Sequence, residues 1–516
     1  MARIAVIGSG LGGMAAAARL AVAGHRVTVF ERGATHGGGV RVYRRDGFGF
    51  DTGPGLLHLP AVWRDLFVKT GREPLEDVVG LHQPRPAARH HFPDGTAVTL
   101  PGVSRAKVVA GLDGALGAGA GARWTSVIDR ARPVWEATRR PLLEEPFTGS
   151  GPPPGLGPDP YPAVRRRGLL RRRAPSLAEA AADELRDPRL VAMLESAALE
   201  HGCDPRAVPA SAAVLAYVEQ TFGSWYVEGG VGALADALHA RCRDRGVRFV
   251  FHAEVAAVLT EGGRASGVRL ADGGSADADL VVCATPALPP LGVPDGVGPD
   301  GVGPDGTRPP GPRPPGTGRF RVLLALRGPR PADAAHRTVV HPPDRAAELG
   351  ALDGGAAAGA PGTAPTVTVL RPDDPLLRPG PGYEAVTLGA TVPVRGDVDW
   401  SAPGTAERCA EALLAAADTA GLGLAERLLW REVRTPADTE RETGAPGGEV
   451  PAPALMGAAL PGRSAPPVPR ANSGPLPGLY LAGGWAHPGG GTAHAGMSGA
   501  LVAGLIVEGD GWSGSR

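Results

Sequence analysis

Apolar residues along this chain repeat with two different periods, and the changes between them mark its structural units. Residues 4–7, Ile-Ala-Val-Ile, form an unbroken apolar run too short for a helix and read as a buried strand. A glycine turn follows, then an Ala- and Leu-rich stretch that predicts a helix over 12–23 and a run that predicts a strand over 26–31. The three together make a βαβ unit. The segment 46–54 (DGFGFDTGP) predicts strand and turn. Ser176 is placed to cap a helix over 178–185, and residues 233–246 predict another. Strands are expected over 247–251, 255–259, 266–270, 280–283, 321–326, 366–370 and 385–392, and an amphipathic helix over 406–420. The chain closes as it opened, with a strand (479–482), a glycine turn and a helix (493–506).

Proline and glycine interrupt this pattern at 149–162, at 288–318, where PDGVG occurs twice in succession, and at 354–364. Such composition cannot bury a core and predicts surface excursions or disorder. A length of 516 residues calls for two or three structural units, and 43% hydrophobic residues suffice to build them. Lys+Arg and Asp+Glu both number 53, so no global field draws the chain to nucleic acid. The four cysteines form no CxxC pair, which argues against a metal site or a disulfide framework and fits a reducing cytoplasm. No apolar run reaches eighteen residues, so no membrane span is expected, and the opening strand leaves no room for a signal peptide. Two arginine triplets, 165–167 and 171–173, could meet anionic lipid headgroups in peripheral membrane contact; a solvated loop is the simpler alternative.

Gly8-Ser9-Gly10-Leu11-Gly12-Gly13 matches GxGxxG in its required setting, with a strand before, a helix after and an acid closing the next strand. Gly8 permits the tight turn, Gly10 lets the backbone approach a pyrophosphate, and Gly13 allows close helix–strand packing. The helix-start amides, including those at Leu11 and Gly12, then face the phosphates. Glu31, eighteen residues beyond Gly13, can accept hydrogen bonds from the hydroxyls of a ribose. Arg32 follows, and Gly37-Gly38 lies six residues past the acid, where bare backbone can pass close to a second part of a long cofactor. This spacing resembles the large flavoprotein group that includes amine oxidases and carotenoid desaturases, which implies FAD.

Four further segments resemble the phytoene/carotenoid desaturases within that group: Gly47-Phe48-Gly49-Phe50-Asp51-Thr52-Gly53-Pro54, Trp225-Tyr226-Val227-Glu228-Gly229-Gly230, Thr435-Pro436-Ala437-Asp438, and the closing Gly478-Leu479-Tyr480-Leu481-Ala482-Gly483-Gly484-Trp485-Ala486-His487-Pro488-Gly489-Gly490-Gly491. The resemblance implies an α/β fold: a Rossmann-type FAD-binding domain, discontinuous in sequence, with an inserted α+β substrate domain. The FAD-binding parts are expected at 1–78, 223–287 and 426–516, substrate parts at 79–222 and 319–425, and a linker at 288–318. It also implies that Gly53, Pro54, Gly483, Gly484, His487 to Gly491 and Met497 lie along the flavin, and that Val255 sets a backbone amide against adenine, although core packing explains a strand valine equally well. Gly39 stands where relatives carry Arg or Lys, so a charged contact is either missing or supplied by Arg41. No cysteine follows Cys409, so FAD is expected to be held noncovalently.

The implied reaction removes a hydride and a proton across a C–C bond of a polyene or another lipid-like substrate. The cofactor carries the difficult step and the protein supplies position and a dry slot. His487 and Asp51 are the candidates for the proton; for His487 a structural hydrogen bond to backbone is the alternative. Competing readings are another flavoenzyme of this fold (an amine oxidase, saturase or carotene isomerase) and a non-catalytic lipid-binding escort. An amine oxidase is expected to place an aromatic cage beside the flavin, which 5% aromatic residues do not favour.

Overall fold

A computed structural model of the chain describes residues 1–149, 157–163, 174–292, 316–353, 364–394, 398–457, 469–509 and 511–514. Both arginine triplets, most of the 288–318 linker and nearly all of the 354–364 patch lie outside the described residues.

Five parallel strands form the central sheet, in the spatial order Leu479–Leu481, Leu280–Cys283, Arg3–Ile7, Arg26–Phe30 and Arg248–Val250. Parallel strands covered on both faces must be apolar on both, which is why they read as continuous hydrophobic runs. In the first strand Ile4 and Val6 point into one core, packed beneath the helices Leu11–Val22, Val231–Asp244 and Thr492–Glu508. Ala5 and Ile7 point into the opposite core, closed by the antiparallel strands Val255–Glu261, Arg264–Leu270 and Ser275–Asp277. The fold is thus α/β with a Rossmann-type dinucleotide-binding layer, and residues from both ends of the chain share its sheet.

The C-terminal helix Thr492–Glu508 crosses the first helix at glycines. A Cβ on Gly499 would lie 2.5 Å from the Gly12 carbonyl oxygen and 2.7 Å from the Ala16 amide nitrogen. The apolar C-terminal helix therefore spends its hydrophobic face on the first helix of the dinucleotide unit. No helix among the described residues is long and apolar enough to cross a membrane.

A second, seven-stranded sheet has the order Leu428–Arg434, Thr317–Arg327, Tyr383–Pro393, Val367–Leu370, Arg337–Val340, Ala88–His91 and Ala97–Leu100. Alternation along Thr317–Arg327 sends Phe320, Val322, Leu324 and Leu326 toward the helix Thr405–Thr419, and Leu323 and Ala325 toward Phe48 and Phe50. This sheet runs past the boundary expected at residue 425: Leu428–Arg434 pairs along Thr317–Arg327, and Trp430 packs edge-on against Phe48 and Phe50. The remaining layer is helical, with Arg105–Leu116, Ala120–Arg139, Leu177–Leu185, Pro188–Glu200 and Val214–Phe222 around a core that includes Trp124, Leu190 and Met193. Ser176 caps its helix through a full capping box with Glu179.

Gly499→Ala is expected to destabilise the protein by about 1–3 kcal/mol, because the crossing helices must separate to admit the methyl group. Urea unfolding of parent and variant checks this; an unchanged midpoint would show that the crossing is not close-packed.

Candidate functional site

The strand Arg3–Ile7 feeds a turn in which Gly8 adopts φ +93°, a left-handed conformation that favours glycine. A Cβ on Gly13 would overlap the Gly8 carbonyl oxygen, so the helix closes onto the strand only without a side chain there. Gly10 differs from both. Its φ of −68° suits any residue, and a Cβ on it would meet nothing within 4 Å. Gly10 is the N-cap of Leu11–Val22, and no side chain caps that helix. The first-turn amides and the helix dipole thus sit beside open space, an arrangement suited to an anion.

Glu31 is built into this turn. Its Oε2 accepts hydrogen bonds from the Ser9 amide (2.9 Å) and Ser9 Oγ (2.7 Å), and its Oε1 accepts one from the Gly33 amide (2.8 Å). The Gly37 amide donates to the Ser9 carbonyl at 2.9 Å, and a Cβ on Gly38 would stand 3.2 Å from Gly10 Cα. The glycine pair after the acid therefore wraps the first glycine turn itself. On its other side the Ala253 amide donates to the Glu31 carbonyl at 2.9 Å, and half-buried Val255 opens the next strand. Arg32 points away, donating from Nη2 to the Arg441 carbonyl at 3.0 Å.

The C-terminal glycine turn meets the N-terminal one directly. A Cβ on Gly12 would overlap Gly483 Cα, and the Gly483 amide donates to Ser498 Oγ at 3.0 Å. Gly484 packs near Pro451. The Gly490 amide donates to the Ala452 carbonyl (2.8 Å) and the Ala454 amide to the Pro488 carbonyl (3.0 Å), so Gly489 and Gly490 are pressed against residues 451–454. Gly491 is exposed and is the N-cap of Thr492–Glu508, again without a side-chain cap; Met497 lies half-buried on that helix. Gly53 packs against the Gly39 carbonyl, and Pro54 is exposed. Arg41 forms an ion pair with Glu442 at 2.7 Å, which also holds Arg434, so the cation nearest Gly39 is already engaged.

His487 is buried, and its Nε2 donates to the Glu145 carbonyl at 3.0 Å; burial lowers its pKa to about 4. Asp51 sits at the start of the helix Val231–Asp244, accepting from the Gly232 amide at 3.2 Å. Burial raises its pKa to about 7 despite the backbone amides of Gly232 and Val231 and the charge of Arg321.

Neither group lines the pocket that adjoins the C-terminal glycine motif. That pocket opens between the helices Ala120–Arg139 and Val214–Phe222, residues 453–456, and Gly491 to His494. Its walls are mostly Leu, Val, Ala, Pro and Met side chains. Its polar features include three histidines, His58, His201 and His494, and it carries no carboxylate among the described residues. The sequence reading passed over these histidines. His494 stood three residues past the C-terminal motif and His58 four residues after Pro54, but no local pattern marks His201.

Residues 11–289 match the family model described as flavin containing amine oxidoreductase, more than half of the chain. The chain belongs to that family. The family is flavin-containing, the uncapped helix start, the open space at Gly10 and the tethered acid fit a dinucleotide, and the cofactor is FAD. Among curated relatives, the chain is 33% identical over 281 residues to a zeta-carotene-forming phytoene desaturase of Myxococcus xanthus (54% of this chain, 53% of that protein). It is 34% identical over 287 residues to a hydroxyneurosporene desaturase of Cereibacter sphaeroides (54% and 55%), and 30% identical over 292 residues to a 4,4'-diapolycopene oxygenase of Methylomonas sp (56% and 56%). The matches span about half the length of these relatives. Among solved structures, an oxidoreductase from Methanosarcina mazei superposes with a TM-score of 0.59 at 17% identity, covering 97% of this chain and 99% of that one. A putrescine oxidase bound to putrescine superposes with a TM-score of 0.58 at 15% identity, covering 98% and 99%. At these identities the structures speak for the fold alone.

Asp51 generates a pH dependence. In the folded protein it keeps its proton up to about pH 7, whereas the ordinary value is 3.8, so folding binds a proton between these limits and stability falls as pH rises through them. Asp51→Asn is expected to flatten that decline. Chemical unfolding of both proteins between pH 4 and 8 measures it, and parallel stability curves would contradict the assignment.

Proposed function

We propose that the protein is an FAD-dependent desaturase that removes two hydrogens across a C–C bond of a polyene. The observation that carries this reading is the pocket: a mostly apolar slot that reaches Gly491 and the start of the C-terminal helix. Its lining suits a hydrocarbon, since apolar walls give up nothing when water leaves. The names of the relatives, two desaturases and an oxygenase of carotenoids, support the same substrate class. An amine substrate is less well served. The lining holds one tryptophan, Trp135, no tyrosine or phenylalanine, and no carboxylate to pair with an ammonium group.

In this reading Gly8, Gly10, Gly12 and Gly13 bring the backbone against the pyrophosphate, and the amides at Leu11 and beyond hold its charge. Glu31, fixed by Ser9 and Gly33, keeps lone pairs directed to the adenosine ribose. Val255 approaches the adenine. The turn from Gly483 to Gly491 and the start of the C-terminal helix face the isoalloxazine, where helix-start amides stabilise negative charge on the reduced ring. When bound, FAD supplies the hydride acceptor. His487, bonded to the Glu145 carbonyl, holds the turn in place.

Two measurements test the reading. Purified protein should show flavin absorbance, and phytoene or a related polyene incubated with it should yield red-shifted products of longer conjugation. Flavin without any change in conjugation would favour another reaction on this scaffold. Gly10→Asp is expected to fold with an unchanged or slightly raised midpoint, because Asp is a favoured N-cap and a Cβ fits there. Its carboxylate would oppose the pyrophosphate, lowering flavin content roughly tenfold or more, the equivalent of about 1.4 kcal/mol of repulsion. A fully flavinated Gly10→Asp protein would remove Gly10 from the phosphate site.

A further inference from the structure

The desaturase reading needs a proton acceptor in the substrate slot, and the pocket has three imidazoles in different electrostatic settings. His201 is the C-cap of the helix Pro188–Glu200, and its Nδ1 lies 2.9 Å from the Ala197 carbonyl oxygen. A carbonyl only accepts, so Nδ1 carries the hydrogen and Nε2 carries the lone pair. The His58 ring stands 6.0 Å away, centroid to centroid, and its Nδ1 is buried without a partner.

A charge cluster acts on this pair. Arg337, buried on a strand of the seven-stranded sheet, bonds Glu200 at 3.1 Å and also Glu219. A second guanidinium, that of Arg319, lies beside Glu200 and donates to the Leu199 and Glu200 carbonyls. Glu219 interacts with both His58 and His201; at His58 burial lowers the pKa, aided by His201 and Arg337, while Glu219 and Glu200 oppose that shift. His494 has no such support: burial, His201 and His487 hold its pKa at about 3. Arg139, the remaining charged residue of the lining, is paired with Glu144 at 3.0 Å.

Building on the polyene reading, we propose that His201, with His58 beside it, is the proton acceptor of the reaction, and that the Glu200–Arg337–Glu219 cluster stabilises the proton once it arrives. One carbon of the substrate loses hydride to the oxidised flavin. The neighbouring carbon loses its proton to His201 Nε2, and the electron pair of that C–H bond becomes the new C=C bond. The imidazolium formed on His201 then faces the Glu219 carboxylate, which interacts with it.

The test uses FAD-loaded protein mixed anaerobically with phytoene in detergent, with loss of oxidised-flavin absorbance followed across roughly pH 5–9. In the parent the rate should rise with pH through one ionisation. His201→Gln should slow flavin reduction about 100-fold or more and abolish that ionisation, while flavin content and phytoene binding to the apoprotein stay at parent levels. Glu219→Gln, which keeps an acceptor for Arg337, should shift the ionisation to lower pH and leave the high-pH rate in place. Nitrogen-15 NMR of the histidines in the apoprotein should show His201 protonated at Nδ1. Flavin reduction in His201→Gln within about threefold of parent with the parent pH profile, or an Nε2-protonated His201, overturns the assignment and leaves the polyene reading standing. A flavin-loaded parent that polyenes never reduce overturns both.

Discussion

The contact of Gly12 with Gly483 is the constraint from which the site follows. The two residues lie at opposite ends of the chain, and a methyl group on Gly12 would overlap the backbone of Gly483. Their approach lets the helix Leu11–Val22 and the helix Thr492–Glu508 cross at Gly499 and places two uncapped helix starts in one layer. Helix starts without side-chain caps leave their amides open to a ligand, and the chain's cofactor is FAD. The central sheet supports the arrangement, since the strand before each glycine turn is hydrogen-bonded to the same intervening strand, Leu280–Cys283.

The helical layer lines the pocket that reaches the start of the C-terminal helix. The seven-stranded sheet draws strands from three separate stretches of chain and buries one face under Thr405–Thr419 and the other against the Phe48–Phe50 hairpin. Its strand Arg337–Val340 carries Arg337 to the carboxylates of two helices from the helical layer. Buried charges of this kind are costly unless paired, and their pairing ties sheet, helices and pocket histidines together. The pocket is mostly apolar with histidines in its lining, a distribution that fits the proposed polyene reaction.

The candidates drawn from motifs and those drawn from geometry differ in kind. His487 and Asp51 stand inside recognisable segments, yet the structure spends both on backbone hydrogen bonds, to Glu145 and Gly232. His58, His201 and His494 come from three unrelated segments and share only the space they face.

What the sequence determined by itself was local and partial: the helices Arg105–Leu116, Ala120–Arg139 and Pro188–Glu200 were not legible in it. Apolar runs and their periods located the strands at 4–7 and 280–283 and the helices near 12–23 and 406–420, because each period is a property of consecutive residues. The glycine turn with its acid announced a dinucleotide, since turn geometry and phosphate chemistry are written within some thirty residues. Only the tertiary structure decided which turns touch, that Leu428–Arg434 joins the substrate-side sheet, that Gly37 and Gly38 wrap Gly10, and which histidines meet. Those facts depend on pairings between residues hundreds of positions apart, and no local pattern encodes a distance through space.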